Sequence, residues 1–317
     1  MTRVGAVVIA FWVVLALGAE LVASDLPIAV RVDGETFILP SWSRPGRLFD
    51  QTQATLAPRA EWMVGTLVPF GPLQTLATTG TTRTGAPPFS PDDRHWLGTD
   101  DLGRDVLARL VHGARLTLLI ALGVVLLSTL LGVLLGALAG WKGGVFDLLL
   151  SRVLEIASTF PTVFFLIVVV AALRGPSVLA VVIVLGLTRW PEAARLVRSE
   201  VLRLKNLDYV LAARALGASE ARILLRHLIP NALGPVFVSS TFAVGSAVLL
   251  ESALSFLGLG ATPPAASWGE LLQQAHRNLI TPGAWWLAVW PGLAIASLVL
   301  ATQAVGKGLE RRFDGRS

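Results

Sequence analysis

Residues 116–140 read LTLLIALGVVLLSTLLGVLLGALAG, a run without one charged side chain. A bilayer core of about 30 Å is crossed by about 20 apolar residues in a helix. The stretch therefore predicts a transmembrane helix, and five more follow the same reading. They are residues 4–23, 153–173 (interrupted by Pro161), 177–189 (closed by Trp190-Pro191), 233–258 and 285–305. A secretory signal has a core of about 7–15 apolar residues, so the long first run predicts an uncleaved anchor. Small residues recur at helical spacing, Gly132 and Gly136 four apart and Ala137 and Gly140 three apart. Either they let a neighbouring helix approach closely or they reflect the ordinary frequency of glycine in membrane helices.

The whole chain agrees with these stretches. Of its 317 residues, 54% are hydrophobic and 15% are charged, against roughly 25% charged in soluble domains. It has no cysteine, which excludes a disulfide framework and a thiolate metal centre. The formal charge of +5 belongs to orientation rather than to nucleic acid. With the N-terminus inside, Arg189, Arg195, Arg198, Arg203, Lys205, Arg214, Arg222 and Arg226 share one inside loop. The tail adds Lys307, Arg311, Arg312 and Arg316, while the short outside loops carry only Arg174 and Arg277. This is the positive-inside distribution, and it predicts that both termini are cytoplasmic. The expected organisation is an anchor at 1–23, an extracytoplasmic segment at 24–115, a transmembrane core at 116–306 and a cytoplasmic tail at 307–317.

The outside segment is rich in proline through residue 94 and reads mostly as loop. Residues 30–37 alternate around Asp33-Gly34, which predicts a small hairpin. His95, Asp100, Asp101 and Asp105 then cluster. They are either ligands or structural groups, and their spacing lacks the pattern of a dedicated metal site. In the structural reading Thr99 or Asp100 caps a helix starting near Asp101. Asp105 and Arg109 then pair four residues apart. No metal is expected.

Residues 198–235 read RSEVLRLKNLDYVLAARALGASEARILLRHLIPNALGP. This loop is too polar to span. Ala212, Ala213, Arg214, Ala215 and Leu216 favour a helix, which Gly217 stops. Ser219 starts another helix after Ala218, with Glu220 in its first turn, and Ile229-Pro230-Asn231 turns the chain back. The composition fits either a basic helix lying on anionic lipid or a short helix seated in a partner's groove.

The pattern Ala212 to Gly217 followed by Arg226-His227-Leu228-Ile229-Pro230-Asn231 resembles the coupling loop of binding-protein-dependent ABC importer permeases. It departs from the general pattern at Ala212, where Glu is usual, and at Ile229, where Leu is usual. Leu97-Gly98-Thr99-Asp100 through Gly103-Arg104-Asp105 is similar to the dipeptide, oligopeptide and nickel branch. So are Phe160-Pro161, Phe256 to Gly260, Pro263-Pro264, Ser267-Trp268-Gly269 and Trp285-Trp286 with Pro291-Gly292. The resemblance implies an all-α membrane protein with six transmembrane helices, a cytoplasmic coupling helix and a long outside loop after the first span. It implies the bacterial inner (plasma) membrane, a second homologous permease, two ABC ATPase subunits and an extracytoplasmic solute-binding protein. Ala212 to Ala218 would sit in the ATPase groove, with Arg214 and Glu220 at its rim.

No catalytic residue is expected. The chain has no Gly-x4-Gly-Lys-Ser/Thr loop and no His-Glu-x-x-His site, and no Gly-x-Ser-x-Gly elbow. ATP and Mg would belong to the partner ATPases. Glu251 lies inside the fifth apolar stretch, where a carboxylate faces either a path for the solute or a hydrogen-bonded interface. A secondary transporter is the rival reading, and it lacks the several intramembrane acids of a proton relay. A membrane-embedded enzyme is the third reading, and the scattered histidines give it no constellation.

Overall fold

Apolar stretches become helices, as the absence of water to bond the backbone requires in lipid. A computed structural model describes the chain except for residues 49, 76–84, 160, 174–176, 262–263, 279–282 and 315–317. Expectations placed on Phe160, Arg174, Pro263 and Arg316 lie outside the described residues. The elements in order are α1 (Thr2–Leu17), α2 (Ala19–Val22), β1 (Ala29–Val32), β2 (Glu35–Ile38), α3 (Pro40–Ser43), α4 (Gln53–Leu56) and β3 (Ala60–Val64). Helices α5 (Val106–Lys142), α6 (Gly144–Thr159), α7 (Thr162–Ala172), α8 (Val178–Leu204), α9 (Asp208–Ala215) and α10 (Glu220–Ile223) follow. A π-turn at Leu224–Leu228 leads into α11 (Ile229–Phe256), then α12 (Trp268–Arg277) and α13 (Trp286–Asp314).

Among the described residues, three helices are long and apolar enough to cross a membrane: Val106–Lys142, Glu220–Phe256 and Trp286–Arg312. The bent pair α6 and α7 together would make a fourth crossing. The first apolar stretch forms a helix of only 16 residues, because Gly18 interrupts it. Arg115 sits at that helix end, donating from Nε to the Ala16 carbonyl at 2.9 Å and pairing with Glu20 at 3.2 Å. A cation there complements the exposed carbonyls.

The chain divides into two compact units. One comprises Met1–Val7, Ile120–Leu250 and Val299–Ser317. Here the glycines of α5 decide the packing. An added Cβ at Gly140 would lie 2.9 Å from the Arg198 carbonyl and 3.0 Å from Val201. At Gly132 it would strike Ala193, and at Gly136 Ala194. Their spacing therefore serves close helix approach. The contact also explains why α8 runs through Trp190-Pro191, where the sequence predicted an end. An interior proline costs about 3 kcal/mol or more. Burial of Trp190, Pro191, Ala194, Val197 and Val201 along one face offsets it.

The other unit comprises Val8–Leu119 and Glu251–Leu298. The predicted hairpin is present, with Val32 opposite Glu35 and Asp33 and Gly34 at φ 54° and 78°. Two left-handed residues are what a tight two-residue hairpin needs. The region read as loop also contains β3, which pairs antiparallel with β1 and completes the order β2-β1-β3. Leu26, Val30, Val32, Leu48 and Leu56 form the core beneath this sheet.

Candidate functional site

The charged loop after α8 folds into a helix–glycine–helix stub. Helix α9 ends in a Schellman closure: the Gly217 N–H donates to the Arg214 carbonyl and the Ala218 N–H to the Ala213 carbonyl, each at 3.0 Å. Gly217 takes φ 82°, a conformation costing other L-residues about 1–2 kcal/mol. Ser219 then caps α10 by accepting the Arg222 N–H. The root of the stub is buried, through Val210, Ile223, Leu224 and Leu228. Its tip is not. Ala212, Arg214, Ala215, Gly217 and Glu220 are exposed, and Leu216 is 88% exposed. Ala213 and Ala218 are half-buried against the core. The eight nominated residues therefore fall together, as six at the tip and two at the root.

Arg214 and Glu220 pair with each other at 3.3 Å, and the Arg214 guanidinium lies over the Trp141 ring, 5.4 Å from its centre. The stub is tied further by Lys205 donating to the Gly140 carbonyl at 3.0 Å. Upstream, Arg198 meets Asp147 through two nitrogens, one contact being 2.6 Å. Ile229-Pro230-Asn231 forms no reversal, contrary to the sequence reading. The chain passes into α11 without a break, because the Ile229 N–H reaches back five residues to the Leu224 carbonyl. The widened turn accommodates Pro230, whose ring would clash with an ordinary helical carbonyl.

Glu251 is fully buried and accepts a hydrogen bond from Ser255 Oγ at 2.8 Å. Ser252 and Ser267 complete a hydroxyl cluster around it.

In the same unit, the His95–Asp105 motif is structural. Helix α5 begins at Val106, later than expected, and Asp105 is its cap, accepting the Ala108 N–H at 2.7 Å. Its other oxygen meets His95 Nδ1 at 2.8 Å. Arg109 pairs elsewhere, with Glu270 at 2.6 Å and Asp100 at 3.2 Å. Arg104 also binds Asp100, at 2.7 Å, and Gln274 donates to Glu270. All of these groups are buried, so each charge needs its partner. Sequence reasoning missed Glu270, which no local signal connects to Arg109. Asp101 sits at the margin. Burial pushes its carboxyl above the usual range, and the Asp100 carboxylate adds to the shift. No group of three or more His, Asp or Glu side chains suited to a metal ion occurs among the described residues.

Apolar helices of membrane-crossing length among the described residues define a membrane protein. Residues 132–315 match the family of binding-protein-dependent transport system inner membrane components, and the chain belongs to it. It is thus the multi-pass permease component of an ABC importer, not a catalytic subunit. A Brucella suis protein named as a peptide permease is 40% identical over 228 residues, covering 72% of this chain and 75% of that protein. The dipeptide transport system permease DppC of Alkalihalophilus pseudofirmus is 37% identical over 245 residues, covering 77% and 80%. The MetNI methionine ABC transporter in an inward-facing conformation is similar in fold, with TM-score 0.52 and 19% identity, covering 65% of this chain and 96% of that one.

Proposed function

We propose that this chain forms one half of a path for peptides or a related small solute, opposite a second homologous permease. Two ATPase subunits carry ATP and Mg, and the stub of α9, Gly217 and α10 seats in one of them. An extracytoplasmic binding protein delivers the solute. The observation that carries this reading is the stub itself, an exposed tip on a buried, hydrogen-bonded root. A small rigid knob of this kind suits a groove, and its root passes displacement into α8 and α11. The names of the relatives support peptides as cargo.

Six crossings with both termini inside complete the reading. Helices α1 and α8 then cross in company with neighbours rather than by apolar length alone, and lipid surrounds the assembly. The segment 24–94 lies outside, where the binding protein docks. Within this reading Glu251 holds the Ser252–Ser255 turn, and it meets a solute amine only if the Ser255 bond opens. Peptide uptake unchanged in Glu251→Gln argues for the holding role, and loss confined to cationic peptides argues for contact.

The chain has no cysteine, so Leu216→Cys offers a single thiol for crosslinking. In the assembled transporter it should crosslink to an ATPase subunit, and Leu102→Cys should not. Absence of the first crosslink, with ATP-driven uptake intact, refutes the seating.

A further inference from the structure

The unit containing the small sheet holds a cavity of about 490 Å³, within the roughly 300–1,000 Å³ of small-molecule sites. None of the stub, Glu251 or the Arg109 network uses it. Leu67, Phe70, Trp96 and Leu107 give it an apolar wall. Trp96 is 51% exposed and Leu67 64%, so both leave apolar surface in water that a ligand would cover.

Its polar groups are asymmetric. Gln53 is buried, and its amide nitrogen is committed to the Ser24 carbonyl at 2.9 Å and Thr66 at 2.7 Å. Its carbonyl oxygen accepts nothing among the described residues. Asp105 also lines the cavity, held by His95, whose ring stacks on Phe70 at 4.4 Å. Carboxylate and aromatic face are thereby fixed before any ligand arrives, which lowers the cost of binding. Asp93 and Arg94 stand exposed at the mouth, and neither is in an ion pair among the described residues.

We propose that this cavity binds a short zwitterionic peptide with an apolar side chain. The ammonium meets Asp93 and the Gln53 carbonyl, the carboxylate meets Arg94, and the side chain lies on Trp96 and Phe70. Acceptors beside aromatic faces favour a cation, and one exposed cation at the mouth supplies the opposite pole. The inference rests on the peptide reading above. It adds a site on the permease, apart from the path, that senses or retains cargo.

The test uses the assembled transporter in nanodiscs without binding protein, with phenylalanyl-alanine as probe. Saturable calorimetric binding is expected. N-acetylation with C-terminal amidation, which removes both charges, should weaken it at least about tenfold, the size of one charged hydrogen bond. Trp96→Ala and Asp93→Asn should each weaken it. The probe should also protect Leu67→Cys from maleimide. Equal binding of the uncharged analogue overturns the proposal, as does binding without protection at position 67. No binding, with ATP-driven peptide uptake intact, overturns this site alone. Failure of all peptide uptake by the complete transporter overturns the underlying reading instead.

Discussion

Replacing Gly217 isolates backbone geometry from surface shape. The residue is exposed, takes φ 82°, and an added Cβ would meet nothing within 4 Å. Gly217→Ala therefore introduces no clash, and its whole cost is the left-handed conformation, about 1–2 kcal/mol. That shifts the local closure equilibrium by roughly 5- to 30-fold. Asparagine visits this conformation more readily, so Gly217→Asn should retain most of the closure despite its larger side chain. The measurement is amide hydrogen exchange at Ala218, whose N–H closes the motif on Ala213, beside ATP-driven uptake by the reconstituted transporter. Exchange should accelerate by about tenfold in the alanine variant and by much less in the asparagine variant, with uptake following the same order. Equal exchange in both variants, or uptake that tracks side-chain size instead of exchange, would refute a rigidly closed stub.

Gly136→Leu should prevent α8 from seating on α5 and lower the yield and melting temperature of detergent-solubilised protein. Gly292→Ala, with open space around its added Cβ, should leave both unchanged. Arg109→Met takes the close cation from the buried Glu270 carboxylate, while Asp100 keeps Arg104, and should cost about 3–5 kcal/mol. Denaturation of Arg109→Met/Glu270→Leu should show part of that loss recovered. Burial raises the Asp101 carboxyl, so folding favours its protonated form. Stability from this group is complete below its ordinary pKa of about 3.9 and is lost as pH rises from there through the raised value. Asp101→Asn should accordingly raise the melting temperature at pH 7 and change it little at pH 3. A gain of equal size at both pH values contradicts the assignment.

Signals carried by neighbours along the chain were legible. Gly217 as a stop, Ser219 as a cap and Asp33-Gly34 as a hairpin turn each act over a few residues, and each does so in the structure. The long apolar helices were equally plain. Strand β3 was hidden because Ala60–Val64 is short and owes its conformation to β1, some thirty positions earlier. Pro191 misled because its local penalty is visible in sequence, whereas the glycine face that outweighs it lies on another helix. Arg109 was assigned to Asp105 by spacing, but that carboxylate was already occupied by His95 and the α5 backbone. The true partner, Glu270, sits 161 positions away. At the stub, sequence located the tip but not its supports, since Trp141 and Gly140 come from a helix far upstream.

The five-residue reach of Ile229 to Leu224 also sets the rotational phase of everything that follows it. An α-helix advances about 100° per residue, and a π-turn accommodates one residue more than regular winding would. Ala232, Val236 and Val248 face the interior only because that surplus has been absorbed upstream. Deleting one residue between 224 and 228 would rewind the segment to ordinary pitch. The downstream faces would then keep their phase, whereas winding all the residues present at ordinary pitch would turn them by about 100° relative to the stub, bringing polar and bulky side chains to the places those small residues occupy.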